Sequence, residues 1–294
     1  MASVDVVGTA GPLLELQHVS KFFGSGGLFN QRKVAALNDF SLEINGHPPT
    51  ITAIVGESGS GKTTMARLLL GLETPSSGRV LYQGKDLHRL SGAEWREYRR
   101  GVQAIFQDPF GVYNSYYKVD HVLTTPIRKF RLARSKSEEQ QMIEQALRAV
   151  GLDPDSTLGR YPHQLSGGQR QRTMVARTLL LRPHVIVADE PVSMIDASLR
   201  VTVLGNLLQL KRQFGISLIY NTHDLTTAYQ ISDRIMVMYR GNMVEQGDPD
   251  QIVAHPRHPY TRLLINSIPE PDPDHAWADD ALEDEEEEDD SILA

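Results

Sequence analysis

The sequence predicts an α/β fold built on a mainly parallel sheet. Three observations carry this expectation. A short apolar run, ITAIV at 51–55, leads through GESGSGKTT into the helix-like MARLLLGL, and strand, glycine loop, helix is the context of a phosphate-binding loop. A second apolar run, HVIVA at 184–188, ends on two carboxylates, Asp189 and Glu190. Between and after these runs, strand-like segments alternate with helical ones, the pattern of an α/β sheet with helices on its faces.

The elements follow in order. Leu13–His18 (LLELQH) and Phe40–Ile44 (FSLEI) alternate apolar and polar residues, as half-buried strands do. Between them, FFGSGGLFNQRK reads as an exposed Gly-rich loop. Ile51–Val55 reads as a buried strand. After the helix come a turn (TPSSG), an alternating run (RVLYQG) and a short helix around Ala93–Arg100. Val102–Phe106 is a strand. Residues 137–150 (SEEQQMIEQALRAV) repeat apolar positions at helical spacing, and the stretch from about 120 to 182 reads as a mostly helical insertion between core strands. Strands return at His184–Ala188, Ser217–Tyr220 and Ile235–Tyr239.

Composition removes several classes of function. The 294 residues include no cysteine, which excludes disulfides and thiolate metal sites and fits a reducing compartment. No run approaches the 18 apolar residues of a membrane span, and the start, MASVDVVGTAGPLL, lacks the basic n-region of a signal peptide. The formal net charge of −7 is set by the end of the chain. Residues 269–294 hold 13 acids and no Lys or Arg, leaving 30 basic against 24 acidic residues before them. Such an acidic block repels itself and is expected to stay disordered.

Gly56-Glu57-Ser58-Gly59-Ser60-Gly61-Lys62-Thr63 fits G-x-x-x-x-G-K-[ST]. Glycines there let backbone N–H groups turn inward around phosphate oxygens, and the following helix aims its N-terminus at the same anion. Lys62 reaches the β and γ phosphates and the Thr63 hydroxyl binds Mg²⁺. At the carboxyl end of its strand, Asp189 is suited to hold Mg²⁺, and Glu190 to orient and polarise the attacking water. A third stretch, YPHQLSGGQRQR at 161–172, heads a basic, apolar-patterned run with adjacent glycines but no lysine where a phosphate cradle has one.

Lys62, LSGGQ at Leu165–Gln169, Asp189-Glu190 and His223 stand in the order found in ATP-binding cassette ATPases. Over residues 13–268 the chain resembles the nucleotide-binding subunit of an ABC transporter. The resemblance implies a P-loop NTPase (RecA-like) core with an antiparallel β subdomain and an inserted α-helical signature subdomain. It also implies a head-to-tail dimer, in which the LSGGQ of one subunit covers the γ-phosphate on the phosphate loop of the other. That accounts for the missing lysine: the opposing subunit supplies it. Ser166 can cap a helix, while Gly167 and Gly168 allow close backbone approach; Gln169 completes the signature. Thr64 is included with the nucleotide-binding loop. Other roles carry over one by one. Phe23 matches the aromatic that stacks on adenine, with Phe22 as the alternative. Gln107, in IFQDP, matches the glutamine that senses Mg²⁺ and water. His223 matches the histidine that contacts the γ-phosphate. Asp196, in SMID, matches the aspartate of the loop that communicates across the dimer. Met194 and Ile195 depart from the usual small residue and leucine.

HPRHPYTRLLINSIP at 255–269 resembles the C-terminal extension of oligopeptide/dipeptide importer ATPases. Many members carry cysteines there for an iron–sulfur cluster; this chain has none, so ATP and Mg²⁺ are expected and no cluster. The expected organisation is a flexible N-terminus (1–12), the nucleotide-binding domain (13–246, helical subdomain about 108–182), the extension (247–269) and an acidic disordered tail (270–294). The expected function is the ATPase subunit of a peptide importer at the cytoplasmic face of the cell membrane. Its partners are a second ABC ATPase subunit, identical or related, two transmembrane permease subunits and, indirectly, an extracytoplasmic substrate-binding protein, with no nucleic acid. Alternatives are an oligosaccharide, nickel or opine importer of the same subfamily, a soluble ABC ATPase acting on nucleic acid, and a partner that binds ATP without turnover. Phe110, Tyr113, Tyr116 and Tyr117 crowd the segment after Gln107. At least one of the three tyrosines is expected in a groove that receives a permease helix.

Overall fold

The computed structural model describes residues 11–25, 32–106, 113–193 and 197–267. Two strands open the chain, β1 (Leu14–Ser25) and β2 (Arg32–Ile44), followed by β3 (Ile51–Val55) and the helix α1 (Lys62–Leu69). Then come β4 (Ser77–Tyr82), a two-residue β5 (Lys85–Asp86), α2 (Gly92–Gly101) and β6 (Val102–Ile105). Four helices follow: α3 (Asp120–Phe130), α4 (Lys136–Ala149), α5 (Pro154–Thr157) and α6 (Gly167–Leu180). The remaining elements are β7 (Val185–Asp189), α7 (Ala197–Phe214), β8 (Ser217–Thr222), α8 (Leu225–Ile231), β9 (Arg234–Tyr239), β10 (Asn242–Gly247), α9 (Pro249–Ala254) and α10 (Pro259–Asn266).

Two sheets form. An antiparallel sheet runs β2-β1-β4-β5, and a larger one runs β10-β9-β3-β8-β7-β6. In the larger sheet β9, β3, β8, β7 and β6 are parallel, and β10 adds to one edge antiparallel to β9. The parallel strands read as continuous apolar runs because both of their faces are covered. Along β3, Ile51, Ala53 and Val55 enter one core and Ile54 the other; along β7, Ile186 and Ala188 enter the first and Val185 and Val187 the second. The second core joins the central sheet and α1 to the antiparallel sheet through Leu14, Leu16, Phe40 and Leu42. The first core reaches the helical insert through Leu123, Ile143, Leu147 and Val175.

The two ends of the segment FFGSGGLFNQRK are strand rather than the expected loop, while residues 26–31 lie outside the described residues. β1 continues through Phe22 and Phe23 to Ser25, and β2 begins at Arg32, with Phe22 opposite Ala35 and Phe23 opposite Val34. Cross-strand pairing decides the conformation there, overriding glycine's weak strand preference. The alternating run RVLYQG ends as a strand at Tyr82, where Gln83 and Gly84, both at positive φ, turn the chain into β5. β10 had no strong apolar pattern in the sequence and forms by pairing along β9.

Capping fixes the starts of α4 and α6 in the insert, among others. Ser135 accepts the Glu138 N–H at the start of α4. Ser166 accepts the Gln169 N–H while Gln169 accepts the Ser166 N–H, a reciprocal cap on α6. A small satellite core of Tyr113, Val119, Leu165 and Met174 packs beneath the start of α6.

Candidate nucleotide site

The candidate residues gather at the carboxyl ends of three neighbouring parallel strands. β3 delivers the phosphate loop, β8 delivers His223 and β7 delivers Asp189 and Glu190. This is where ligands bind in open parallel sheets.

The loop's shape depends on two glycines. A Cβ on Gly56 would lie 2.2 Å from the Met238 carbonyl oxygen, and one on Gly61 would lie 2.3 Å from the Ala36 carbonyl oxygen. Gly61 also sits at φ 107°, outside the range of ordinary side chains, and precedes α1 directly. These contacts press the loop between β2 and β9. Glu57, Ser58 and Gly59 are exposed, whereas Ser60 and Lys62 are buried. The Lys62 ammonium donates to the carbonyl oxygens of Gly56 (2.5 Å) and Glu57 (2.8 Å). Burial pushes its pKa below the ordinary lysine value, and the negative charges of Glu190, Asp189 and Glu57 oppose that shift. Thr63, in the first turn of α1, exposes its side chain, and Thr64 is half-buried.

Asp189 is held by Asn221, whose side-chain amide donates to Asp189 Oδ1 (3.0 Å) and to the Lys62 carbonyl oxygen (3.2 Å). Asn221 is buried on β8 and thereby ties the acidic strand to the first turn of α1. Sequence analysis assigned Asn221 no role. Its signal was a polar residue inside an apolar strand, where a partner is required. Asn221 Oδ1 and Ser60 Oγ are buried without a hydrogen-bond partner.

Glu190 adopts φ 47°, rare for a residue with a side chain and a local strain of order 1–3 kcal/mol. The surroundings impose it: the Glu190 N–H donates to the Asn221 carbonyl oxygen at 3.0 Å, and its own carbonyl oxygen accepts the Ser193 hydroxyl at 3.0 Å. The side chain is thereby directed to His223, with Nδ1 3.3 Å from Glu190 Oε2. His223 is exposed and set between β8 and the cap of α8, where Asp224 accepts the N–H groups of Thr226 and Thr227. Glu190 and His223 can together orient a water molecule, with the carboxylate taking its proton.

Phe23 and Phe22 are both about two-fifths exposed on β1, and the Lys21 ammonium lies 5.0 Å from the Phe23 ring centre. An exposed ring of this kind can stack on a base. Ser166 and Gly167 are exposed at the N-terminus of α6, while Gly168 and Gln169 are half-buried. These signature residues belong to the helical insert rather than to the strand ends that carry the loop. A hydrogen bond ties α6 to the acidic strand end: Gln171, buried on α6, donates to the carbonyl oxygen of Pro191, the residue after Glu190 (2.5 Å). Gln107 and Asp196, expected at the Mg²⁺ position and in the cross-dimer loop, lie outside the described residues, as do Phe110, Met194 and Ile195.

Among the described residues no cluster of three His, Asp or Glu side chains could hold a metal ion by itself. The donors that are present suit Mg²⁺, which takes one or two protein oxygens and completes its shell from phosphate and water. Asp189, oriented by Asn221, and the exposed Thr63 hydroxyl are such donors, and the unpaired Asn221 and Ser60 oxygens add polar capacity to the same loop.

Residues 37–193 match the ABC transporter family, and residues 244–291 match the C-terminal region of oligopeptide/dipeptide transporters. The oligopeptide transport ATP-binding protein OppF of Salmonella typhimurium is 43% identical over 221 residues, which are 75% of this chain and 66% of that protein. The chain thus spans just under two thirds of that relative. The dipeptide transport ATP-binding protein DppF of Escherichia coli is 40% identical over 265 residues, 90% of this chain and 78% of that protein. Among solved structures, a dimeric post-hydrolysis state of an ATP-binding cassette bound to ADP and Pi superimposes with a TM-score of 0.68. It shares 26% identity, and the match covers 80% of this chain and 98% of that one.

Proposed function

From the premise that the chain belongs to the ABC transporter family, we propose that it is the ATP-hydrolysing subunit of a membrane importer for peptides or related solutes. One observation carries the reading: the phosphate loop, Asp189, Glu190 and His223 converge at adjacent strand ends, with the Glu190 carboxylate and the His223 ring 3.3 Å apart. Lys62 exchanges its carbonyl partners for the β and γ phosphates. Thr63 and Asp189, with Gln107, would hold Mg²⁺, whose charge would offset that of the phosphates. Glu190 orients a water in line with the γ-phosphate and accepts its proton, and His223 contacts the γ-phosphate oxygens. Phe23 stacks on the adenine.

The other half of the site comes from a second ATPase subunit. Ser166, Gly167, Gly168 and Gln169 of that subunit cover the γ-phosphate, and Asp196 communicates across the interface. Closure then follows ATP binding, and hydrolysis releases it. Two permease subunits receive this motion at the cytoplasmic face of the membrane, and an extracytoplasmic binding protein delivers the solute. No helix among the described residues is long and apolar enough to cross a membrane. Peptide as the solute is supported by the names of the relatives and by the match of residues 244–291. The test is co-purification of the full chain from membranes, followed by ATPase assay of the reconstituted complex. Recovery with polytopic permease subunits and stimulation by peptide-loaded binding protein is expected. Recovery with ribosomes or nucleic acid instead would overturn the reading.

A further inference from the structure

The C-terminal extension touches the phosphate loop. The Glu57 backbone N–H donates to the Tyr260 hydroxyl oxygen at 2.9 Å. Tyr260 stands in the first turn of α10, and its placement is fixed on three sides. Its ring stacks on Tyr239 with centroids 4.2 Å apart. Its own N–H donates to His258 Nδ1 at 3.1 Å. Upstream, the Glu245 carboxylate of β10 accepts the N–H groups of Arg257 (2.9 Å) and His258 (3.0 Å), which anchors the start of α10 to the sheet edge. The same strand, β9, carries Tyr239 and Met238, whose carbonyl oxygen packs against Gly56. The extension and the loop are therefore braced on one strand end.

The Gly56–Glu57 peptide group is held from both ends. Its carbonyl oxygen, that of Gly56, accepts from Lys62, and its N–H, that of Glu57, goes to Tyr260. A phosphate that draws Lys62 away removes one of these contacts. The Tyr260 bond does not involve Lys62 and keeps the peptide plane in place as the loop closes on its anion. We propose that Tyr260 is a positioning residue for the phosphate loop, through which the C-terminal extension sets the nucleotide affinity of this chain. The inference rests on the nucleotide-binding reading above.

The test compares the full-length wild type with Tyr260→Phe, which keeps the ring and its stacking on Tyr239 and removes only the hydroxyl. Arg262→Ala serves as the control. It removes an exposed contact within the extension, from the guanidinium to the Pro256 carbonyl oxygen, and leaves Tyr260 untouched. Nucleotide titration, steady-state hydrolysis, thermal melting and amide exchange of the loop are measured on all three. Losing one part-buried hydrogen bond is expected to weaken ATP binding about three- to tenfold. It should raise KM with kcat unchanged within twofold and speed exchange at Glu57, whereas Arg262→Ala binds as wild type. Equal affinity of Tyr260→Phe and wild type would overturn the inference alone, and so would an equal loss in Arg262→Ala, which would indicate general loosening. A folded wild type that binds no ATP would overturn the nucleotide reading beneath it.

Discussion

The strand ends that carry the phosphate loop and the helix end that carries the signature are built on opposite principles. At the strand ends, functional groups are engaged within the chain: Lys62 with two carbonyls, Asp189 with Asn221, Glu190 with His223. At the start of α6, Ser166 and Gly167 are exposed, and the bonds of Ser166 and Gln169 are a cap that they make with each other. The cap uses the Ser166 hydroxyl as an acceptor and leaves its proton to donate elsewhere. One region is a preorganised reaction edge, while the other is an exposed donor surface, which in the proposed dimer would find its acceptor on the second subunit. Damage to the first should therefore act within a subunit, and damage to the second should act on its partner.

The largest effect tests the reaction edge. Glu190→Gln keeps the size of the side chain but cannot accept a proton. Turnover should fall by roughly a hundredfold or more, the usual worth of a positioned base, while ATP affinity stays near wild type. Phosphate release and nucleotide titration measure the two. Near-normal release would move the role of base to His223.

A smaller loss is expected from Lys62→Ala, which removes charge-assisted contacts to phosphate worth roughly 1.5–3 kcal/mol, more than tenfold in affinity. Isothermal titration with ATP reads it directly. Unchanged affinity would mean that the ammonium stays on the Gly56 and Glu57 carbonyls when nucleotide binds.

Ser166→Arg sharpens the contrast. The isolated variant should bind ATP as wild type does, because its own phosphate loop is intact, yet hydrolyse poorly. Mixed with Lys62→Ala chains, it should regain hydrolysis above the sum of the two separate variants, since one composite site in each mixed dimer carries neither change. If the native partner is a related ATPase, the two changes belong on opposite chains. A mixture no more active than its parts would place the signature outside the partner's site.

How legible each region was follows from where its information lies. The glycine and lysine spacing of 56–63 and the apolar run before Asp189 are local patterns, and the structure brings them together at adjacent strand ends. The role of Asn221 was not legible, because it depends on β3, β7 and β8 being neighbours. The Tyr260 contact was hidden for the same reason: 203 residues separate it from Glu57. The extension of β1 through Phe22 and Phe23 was missed because pairing with β2, not residue preference, makes that strand. Clustering of aromatics after position 107 was visible, but not which rings turn inward.

That last point separates a large effect on stability, at Tyr113, from the smallest expected effect on the isolated chain, at Tyr116. Tyr113 is buried against Val119, Leu165 and Met174, and its hydroxyl donates to the Arg170 carbonyl oxygen at 2.8 Å. It is a core residue of the insert, and Tyr113→Ala should destabilise the chain by about 3–5 kcal/mol, as aromatic truncation in a core does. Tyr117 is half exposed and stacks on His121 (centroids 4.4 Å apart), whereas Tyr116 is 90% exposed. For Tyr116→Ala the change in stability should be within about 0.5 kcal/mol, with nucleotide affinity unaltered. An exposed tyrosine beside the insert has the contact area and polar tip favoured at protein interfaces, so its loss should appear only in the complex, as weaker assembly or weaker stimulation of hydrolysis by the permease. Melting of the isolated subunit and ATPase stimulation in reconstituted membranes separate the two tyrosines. If Tyr116→Ala and Tyr117→Ala both leave stimulation and transport intact, the proposed permease groove lies elsewhere.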